Sequence, residues 1–160
     1  MTRLDIAVAG APVLRKTAEK VTRFDKKLGK LLDNMAETMY SADGVGIAAP
    51  QVSISKKIVV IDVGDGRVEL INPEVIEKRG SCTNVEGCLS VPDYEGEVER
   101  AEEVIVTYQD RKGNKEMLKA DGLFAVAIQH ETDHLNGILF IDKAKSLTPK
   151  EKETAEHVWE

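Results

Sequence analysis

Two histidines four residues apart, His130 and His134, enclose a glutamate in the run His130-Glu131-Thr132-Asp133-His134. Positions i and i+4 share one face of a helix, so both imidazoles can address a single metal ion while Glu131 reaches a water bound to it. Of the three histidines in the 160-residue chain, only His157 lies outside this run, in a charged tail where it reads as a solvated residue. A catalytic metal usually takes three protein ligands and keeps one position open. The extended pattern H-E-x-x-H-x-x-G-x-x-H is met at Gly137, but its last ligand position holds Phe140, which cannot ligate. Two sources of a third ligand stay open. One is Glu153 or Glu156, at the distance of a ligand supplied by a following helix. The other is Cys88 in Glu86-Gly87-Cys88-Leu89-Ser90, where a thiolate offers a soft anionic donor and Gly87 lets the backbone come close.

These residues need elements to hold them. A helix should start after Asp121, bury Leu123, Phe124, Ala127 and Ile128, carry the histidine pair, and stop near Asn136-Gly137, a pair suited to a left-handed cap. An earlier helix is predicted from Asp25 as N-cap, with Leu28, Leu31, Leu32, Met35 and Met39 at helical spacing and Gly44 beyond its end. The stretches 57–63, 68–71 and 103–108 are short and rich in β-branched residues, and read as strands. Arg111-Lys112-Gly113-Asn114 reads as a hairpin turn leading into 115–119. Thr148-Pro149-Lys150-Glu151 fits a capping box with proline at the first helical position, so a short third helix should close the chain. The class is α+β, with antiparallel sheets around the helix that carries the histidines, an N-terminal helix and a short C-terminal helix.

Composition limits the rest. With 42% apolar residues in 160 and no repeat or linker, the whole of 1–160 reads as a single domain. Lys and Arg number 22 against 28 Asp and Glu, a net charge of −6, which argues against direct binding to nucleic acid. The first residues carry no apolar signal core and no window is long enough to span a bilayer, so a cytoplasmic protein with no membrane partner is expected. The two cysteines, Cys82 and Cys88, then suggest a metal or catalysis more than a disulfide, and Cys82 alone reads as a small packed residue.

Three separated runs occur here in order: Gly44-Val45-Gly46-Ile47-Ala48-Ala49-Pro50-Gln51, Glu86-Gly87-Cys88-Leu89-Ser90, and Gln129-His130-Glu131-Thr132-Asp133-His134. Together they resemble the peptide deformylase family, from the Pro12-Val13-Leu14-Arg15 segment to about Asp142. The resemblance implies that Cys88, His130 and His134 bind the metal, with Glu131 as general base. It also implies that Gln51 and the Leu89 N–H stabilise the formyl oxygen. The substrate implied is the N-formylmethionyl end of a nascent chain, extended along the backbones of Val45, Gly46 and Gly87 in a side-chain-indifferent strand addition. Its methionine would enter an apolar pocket of Val45, Leu123, Val126 and Ala127. Glu86 and Asp133 would orient the ligands as hydrogen-bonding carboxylates, and Arg100 would meet the end of the substrate or one of those carboxylates.

A Cys-His-His donor set suits zinc on softness alone, whereas the resemblance implies Fe2+, with Zn2+, Ni2+ or Co2+ able to substitute. The likeness weakens from Lys143, so 143–160 is a short divergent tail. Some family members approach the ribosome with a longer, basic C-terminal helix, and the acidic residues Glu151, Glu153, Glu156 and Glu160 argue against that contact here. Two other functions are consistent with parts of the pattern: a zinc endopeptidase using a tail glutamate, and a non-catalytic module that keeps only the fold. Retention of both Glu131 and Gln51 argues against the latter.

Overall fold

Asp25 adopts an extended backbone and its carboxylate accepts the Leu28 N–H at 3.1 Å, which starts α1, Lys26–Ser41. Such a cap contributes about 1 kcal/mol. The structure, a computed structural model, describes residues 2–150. After α1 come β1 (Gly46–Ala48), β2 (Ile58–Ile61), β3 (Val68–Arg79), β4 (Cys82–Cys88), β5 (Val91–Arg100), β6 (Glu103–Gln109), β7 (Lys115–Asp121), α2 (Gly122–Leu135) and β8 (Ser146–Pro149). Every pairing between these strands is antiparallel, in a five-stranded sheet of order β1-β2-β3-β6-β7 and a three-stranded sheet of order β4-β5-β8. The chain therefore has the α+β class expected. Among the described residues, no helix is long and apolar enough to cross a membrane.

The larger sheet is covered on both faces, which explains why β2 is buried at all four positions. Side chains alternate across a strand. Val59 and Ile61 join Leu70, Val104 and Val106 against Ala125, Ala127, Ile128 and Leu135 of α2. Ile58 and Val60 face the other way, onto Leu28, Leu32, Met35 and Met39 of α1. A smaller core of Leu14, Val91, Val98, Leu139 and Phe140 lies beneath the three-stranded sheet. So α2 sits between the large sheet and the hairpin β4–β5.

Two expectations need correction. Leu123 does not bury: in the first turn of α2 it is 57% exposed, while Phe124 beside it packs partly buried against the core and full burial begins at Ala125. The predicted start of a third helix at Thr148-Pro149 is also overturned, since Thr148 pairs with Glu95 and Pro149 with Tyr94 in β8. Proline lacks the N–H a ladder needs but is tolerated at the end of an edge strand, so the same residue that suits a helix start also suits this place. The remainder of that helix would fall in 151–160, outside the described residues, together with Glu153, Glu156 and His157.

The C-terminal end of α2 is as expected. Gly137 has φ +75°, its N–H reaches the His134 carbonyl at 3.2 Å, and the Ile138 N–H reaches Asp133 at 3.0 Å, a Schellman closure. A Cβ at Gly137 would stand 2.6 Å from the Arg15 carbonyl oxygen, so only glycine fits. This closure fixes the last turn of the helix, where His134 lies.

Candidate metal centre

The three sequence runs, far apart in the chain, meet at one place. Cys88 ends β4 just before the Leu89-Ser90 turn, and its Sγ lies 3.3 Å from His134 Nε2. One donor atom from each of Cys88, His130 and His134 lies within 4.8 Å of the others. The histidines come from α2, with their rings 5.2 Å apart, and the cysteine from the smaller sheet. These are one soft sulfur and two imidazole nitrogens, converging in a buried space, and they form a possible metal-binding group.

The two histidines have different surroundings. His130 places Nδ1 2.9 Å from Glu86 Oε1. Burial alone would raise the Glu86 pKa, but Arg100 and His130 outweigh it and hold the carboxyl down at about 2. Glu86 is thus an acceptor only, which makes Nδ1 the donor and turns Nε2 toward the sulfur. Burial favours neutral His130 as well, yet its contacts with Cys88 and Glu86 prevail and hold its proton well above the usual range in the metal-free geometry. His134 is pushed down to about 3, first by burial and then by the His130 charge, so it stays neutral, the form that ligates. Its Nδ1 has no partner among the described residues.

Behind the ligands stands Arg100. Its Nε and Nη2 each lie 2.9 Å from a Glu86 oxygen, and Nη1 donates to Asp133 Oδ2 at 2.7 Å. Lys143 Nζ reaches Asp133 at 3.1 Å from the outer side. The Arg100 side chain is 2% exposed, and of the two contacts expected for it the carboxylates are the ones it makes here. Glu86 thus meets a candidate ligand directly, whereas the Asp133 carboxylate reaches Arg100 and Lys143 and touches none of the three. Arg100→Ala would leave two enclosed carboxylates short of a partner, and a loss of about 3–5 kcal/mol in stability is expected. The check is the urea midpoint of metal-free protein; a midpoint that does not move would remove this role.

Glu131 lies on α2 between the histidines, 5% exposed, and burial pushes its carboxyl up to about 7. Its Oε1 has no partner among the described residues. A Cβ at Gly46 would stand 2.6 Å from Glu131 Oε2, so the missing side chain of Gly46 is what lets β1 and this carboxylate share one wall. A Cβ at Gly44 would likewise meet Leu89 Cδ1 at 3.0 Å. The first run therefore touches both of the others through its glycines.

Gln51 is 1% exposed; its Oε1 accepts the Ala48 N–H at 2.9 Å, and its Nε2 lies 3.2 Å from Ser90 Oγ and 3.6 Å from Cys88 Sγ. The Leu89 N–H has no acceptor among the described residues. Around this wall, Val45 and Leu123 are exposed at 44% and 57%, Val126 and Ala127 are buried, and Gly87 is exposed on β4 with open space at its Cβ. Sequence reasoning missed three neighbours. Phe140, read only as a residue that cannot ligate, stacks on His130 with ring centroids 6.2 Å apart. Gln129 holds both backbone groups of Ala101, next to Arg100, at 2.9 Å. Ser90 meets Gln51, and its place at the end of the Glu86–Ser90 run was a signal available in the sequence.

Comparison with known proteins agrees with this geometry. Residues 3–150 match the family described as Polypeptide deformylase. A peptide deformylase of Caldicellulosiruptor bescii is 53% identical over 140 residues, covering 88% of this chain and 84% of the relative. One of Heliobacterium modesticaldum is 50% identical over 151 residues, covering 94% of this chain and 100% of the relative. The crystal structure of peptide deformylase from Thermotoga maritima superposes with a TM-score of 0.89 at 46% identity, over 91% of this chain and all of that one. A Synechococcus elongatus peptide deformylase in complex with actinonin gives 0.87 at 47% identity, over 89% and 79% of the two chains. On a match that spans nearly all of its length and a site assembled from three separated motifs, this chain belongs to the polypeptide deformylase family.

Proposed function

We infer that this chain hydrolyses the formyl group from the N-terminal formyl-methionine of newly made polypeptides, releasing formate. The observation that carries the reading is the convergence of Cys88, His130 and His134 beside a buried glutamate and a buried carboxamide. When bound, a metal held by these three residues supplies Lewis acidity that polarises the formyl carbonyl and lowers the pKa of a water. Glu131 takes the proton of that water as its oxygen adds to the formyl carbon, then hands a proton to the amine as the C–N bond breaks. The Gln51 side chain and the Leu89 N–H donate to the formyl oxygen as it gains charge, each contributing about 3 kcal/mol.

The geometry of β1 supports a peptide running along its edge. The Asp62 N–H donates to the Val45 carbonyl at 2.8 Å, which makes Val45 and Asp62 a hydrogen-bonded pair. Pairs alternate in an antiparallel ladder, so at the next one, Gly46 with Ile61, the Gly46 N–H and carbonyl point away from β2. β1 ends its sheet and β4 ends the other, and both flank the metal group. A substrate lying between them uses Gly46 and Gly87 through backbone contacts alone and sets its methionine against Val45, Leu123, Val126 and Ala127. Cys88 among the donors favours this reading over an endopeptidase that takes its third ligand from the tail.

We assign Fe2+ as the working metal, with Zn2+, Ni2+ and Co2+ as substitutes, in a cytoplasmic enzyme that meets nascent chains. Iron lies low in the affinity series, so zinc enters such a site readily during handling. The test is formate release from formyl-Met-Ala-Ser by protein loaded anaerobically with iron or with zinc. Faster release with iron is expected. Equal rates would remove iron, and no release with metal in place would remove the reaction.

A further inference from the structure

We propose that Ser90 is a positioning residue that orients the Gln51 carboxamide and reserves one of its two N–H donors for the formyl oxygen. The proposal rests on the deformylase reading of Gln51. A carboxamide is nearly symmetric in shape, so its surroundings must decide which way it faces. Here the Ala48 N–H at 2.9 Å can only be met by Oε1, which settles the end that carries the hydrogens. One point of attachment still leaves the amide free to pivot. Ser90 Oγ, 3.2 Å from Nε2, supplies the second point and fixes the plane.

The two hydrogens of Nε2 then have different fates. One is held by Ser90, a residue with no solvent exposure, whose backbone is itself tied down by the Ala9 N–H on its carbonyl at 2.7 Å. The other faces Cys88 Sγ at 3.6 Å, a weaker acceptor than the oxygen that can take its place. The Ser90 N–H also reaches Cys88 Sγ, at 3.4 Å, so the sulfur keeps a donor when the formyl oxygen accepts the Gln51 hydrogen. One serine therefore holds the amide plane through its side chain and supports the sulfur through its backbone.

Two measurements test this. In Ser90→Ala, kcat for formyl-Met-Ala-Ser should fall about tenfold with KM changed less than twofold, the size of one lost hydrogen bond. In a Gln51→Ala background the same substitution should change kcat less than twofold; a full tenfold loss there would mean that Ser90 does not act through Gln51 and would overturn the proposal. Without substrate, exchange of the Gln51 side-chain amide hydrogens in metal-loaded protein should quicken at least tenfold in Ser90→Ala. Unchanged exchange with an active wild type overturns the Ser90 role alone, whereas a metal-loaded wild type that releases no formate overturns the reaction and the role together. If Ser90→Ala does not fold, Ser90→Cys, which keeps only a weak acceptor, carries both measurements with smaller losses in the same direction.

Discussion

Replacing Glu131 by glutamine is expected to lower kcat for formate release about a thousandfold while metal content stays at the wild-type level. Glutamine has the same shape, so it fits the wall that Glu131 shares with Gly46, where a Cβ would come within 2.6 Å of the side chain. What it loses is the capacity to take a proton. Positioned proton transfer is worth about 10²–10⁴ in rate. Burial that raises the Glu131 pKa to about 7 makes its carboxylate a stronger base than an exposed one. The ligands are untouched by the change, so elemental analysis beside single-turnover formate release separates loss of base from loss of metal. A variant keeping more than a tenth of wild-type kcat would exclude Glu131 as the base.

Cys88→Ser should act on the step before. A serine hydroxyl stays protonated where a thiol ionises, so the variant offers a weak neutral donor in place of an anionic one. It also takes the sulfur from three groups that now converge on it: His134 Nε2 at 3.3 Å, the Ser90 N–H at 3.4 Å and Gln51 Nε2 at 3.6 Å. Loss of a mere supporting hydrogen bond weakens metal sites about 10–100-fold, and loss of a ligand should exceed that, leaving the variant nearly metal-free after dialysis and inactive. Glu153→Ala and Glu156→Ala should keep both metal and rate. The opposite pattern, a tolerant Cys88 and essential tail glutamates, would favour the endopeptidase.

How far the sequence could be read depended on which elements bury an apolar face. The helical spacing of Leu28, Leu32, Met35 and Met39, the Asp25 cap and the Gly137 closure all place their helices as the structure has them, because packing and local chemistry agree there. The strands 58–61 and 103–109 were legible for the same reason. β4 and β5 were not, since their residues are mostly charged, exposed or glycine, with Pro92 among them, and a half-exposed hairpin leaves little alternation to detect. β3 runs on to Arg79, well beyond the apolar stretch that announced it, through two irregularities that break the period of two. The histidine pair and its glutamate were plain from spacing alone. Cys88 was less so: residues alone kept the tail glutamates open as a runner-up and a packed cysteine as an alternative, the resemblance chose Cys88, and its approach to His134, 46 positions away in sequence, is a contact no local pattern encodes.

The open edge of β1 bears on how such an enzyme survives its own substrates. An unpaired strand edge invites any extended chain, its own copies included, and newly made polypeptides are unfolded and abundant. Two of the other three end strands are defended in ordinary ways, β7 by Lys115, Glu116 and Lys119 and β8 by Pro149. β1 carries no such charge or proline but is only three residues long, Gly46–Ala48, and turns immediately into the Ala49–Val52 helical turn. That length offers enough backbone to dock the tip of a passing chain, and too little to template a growing stack.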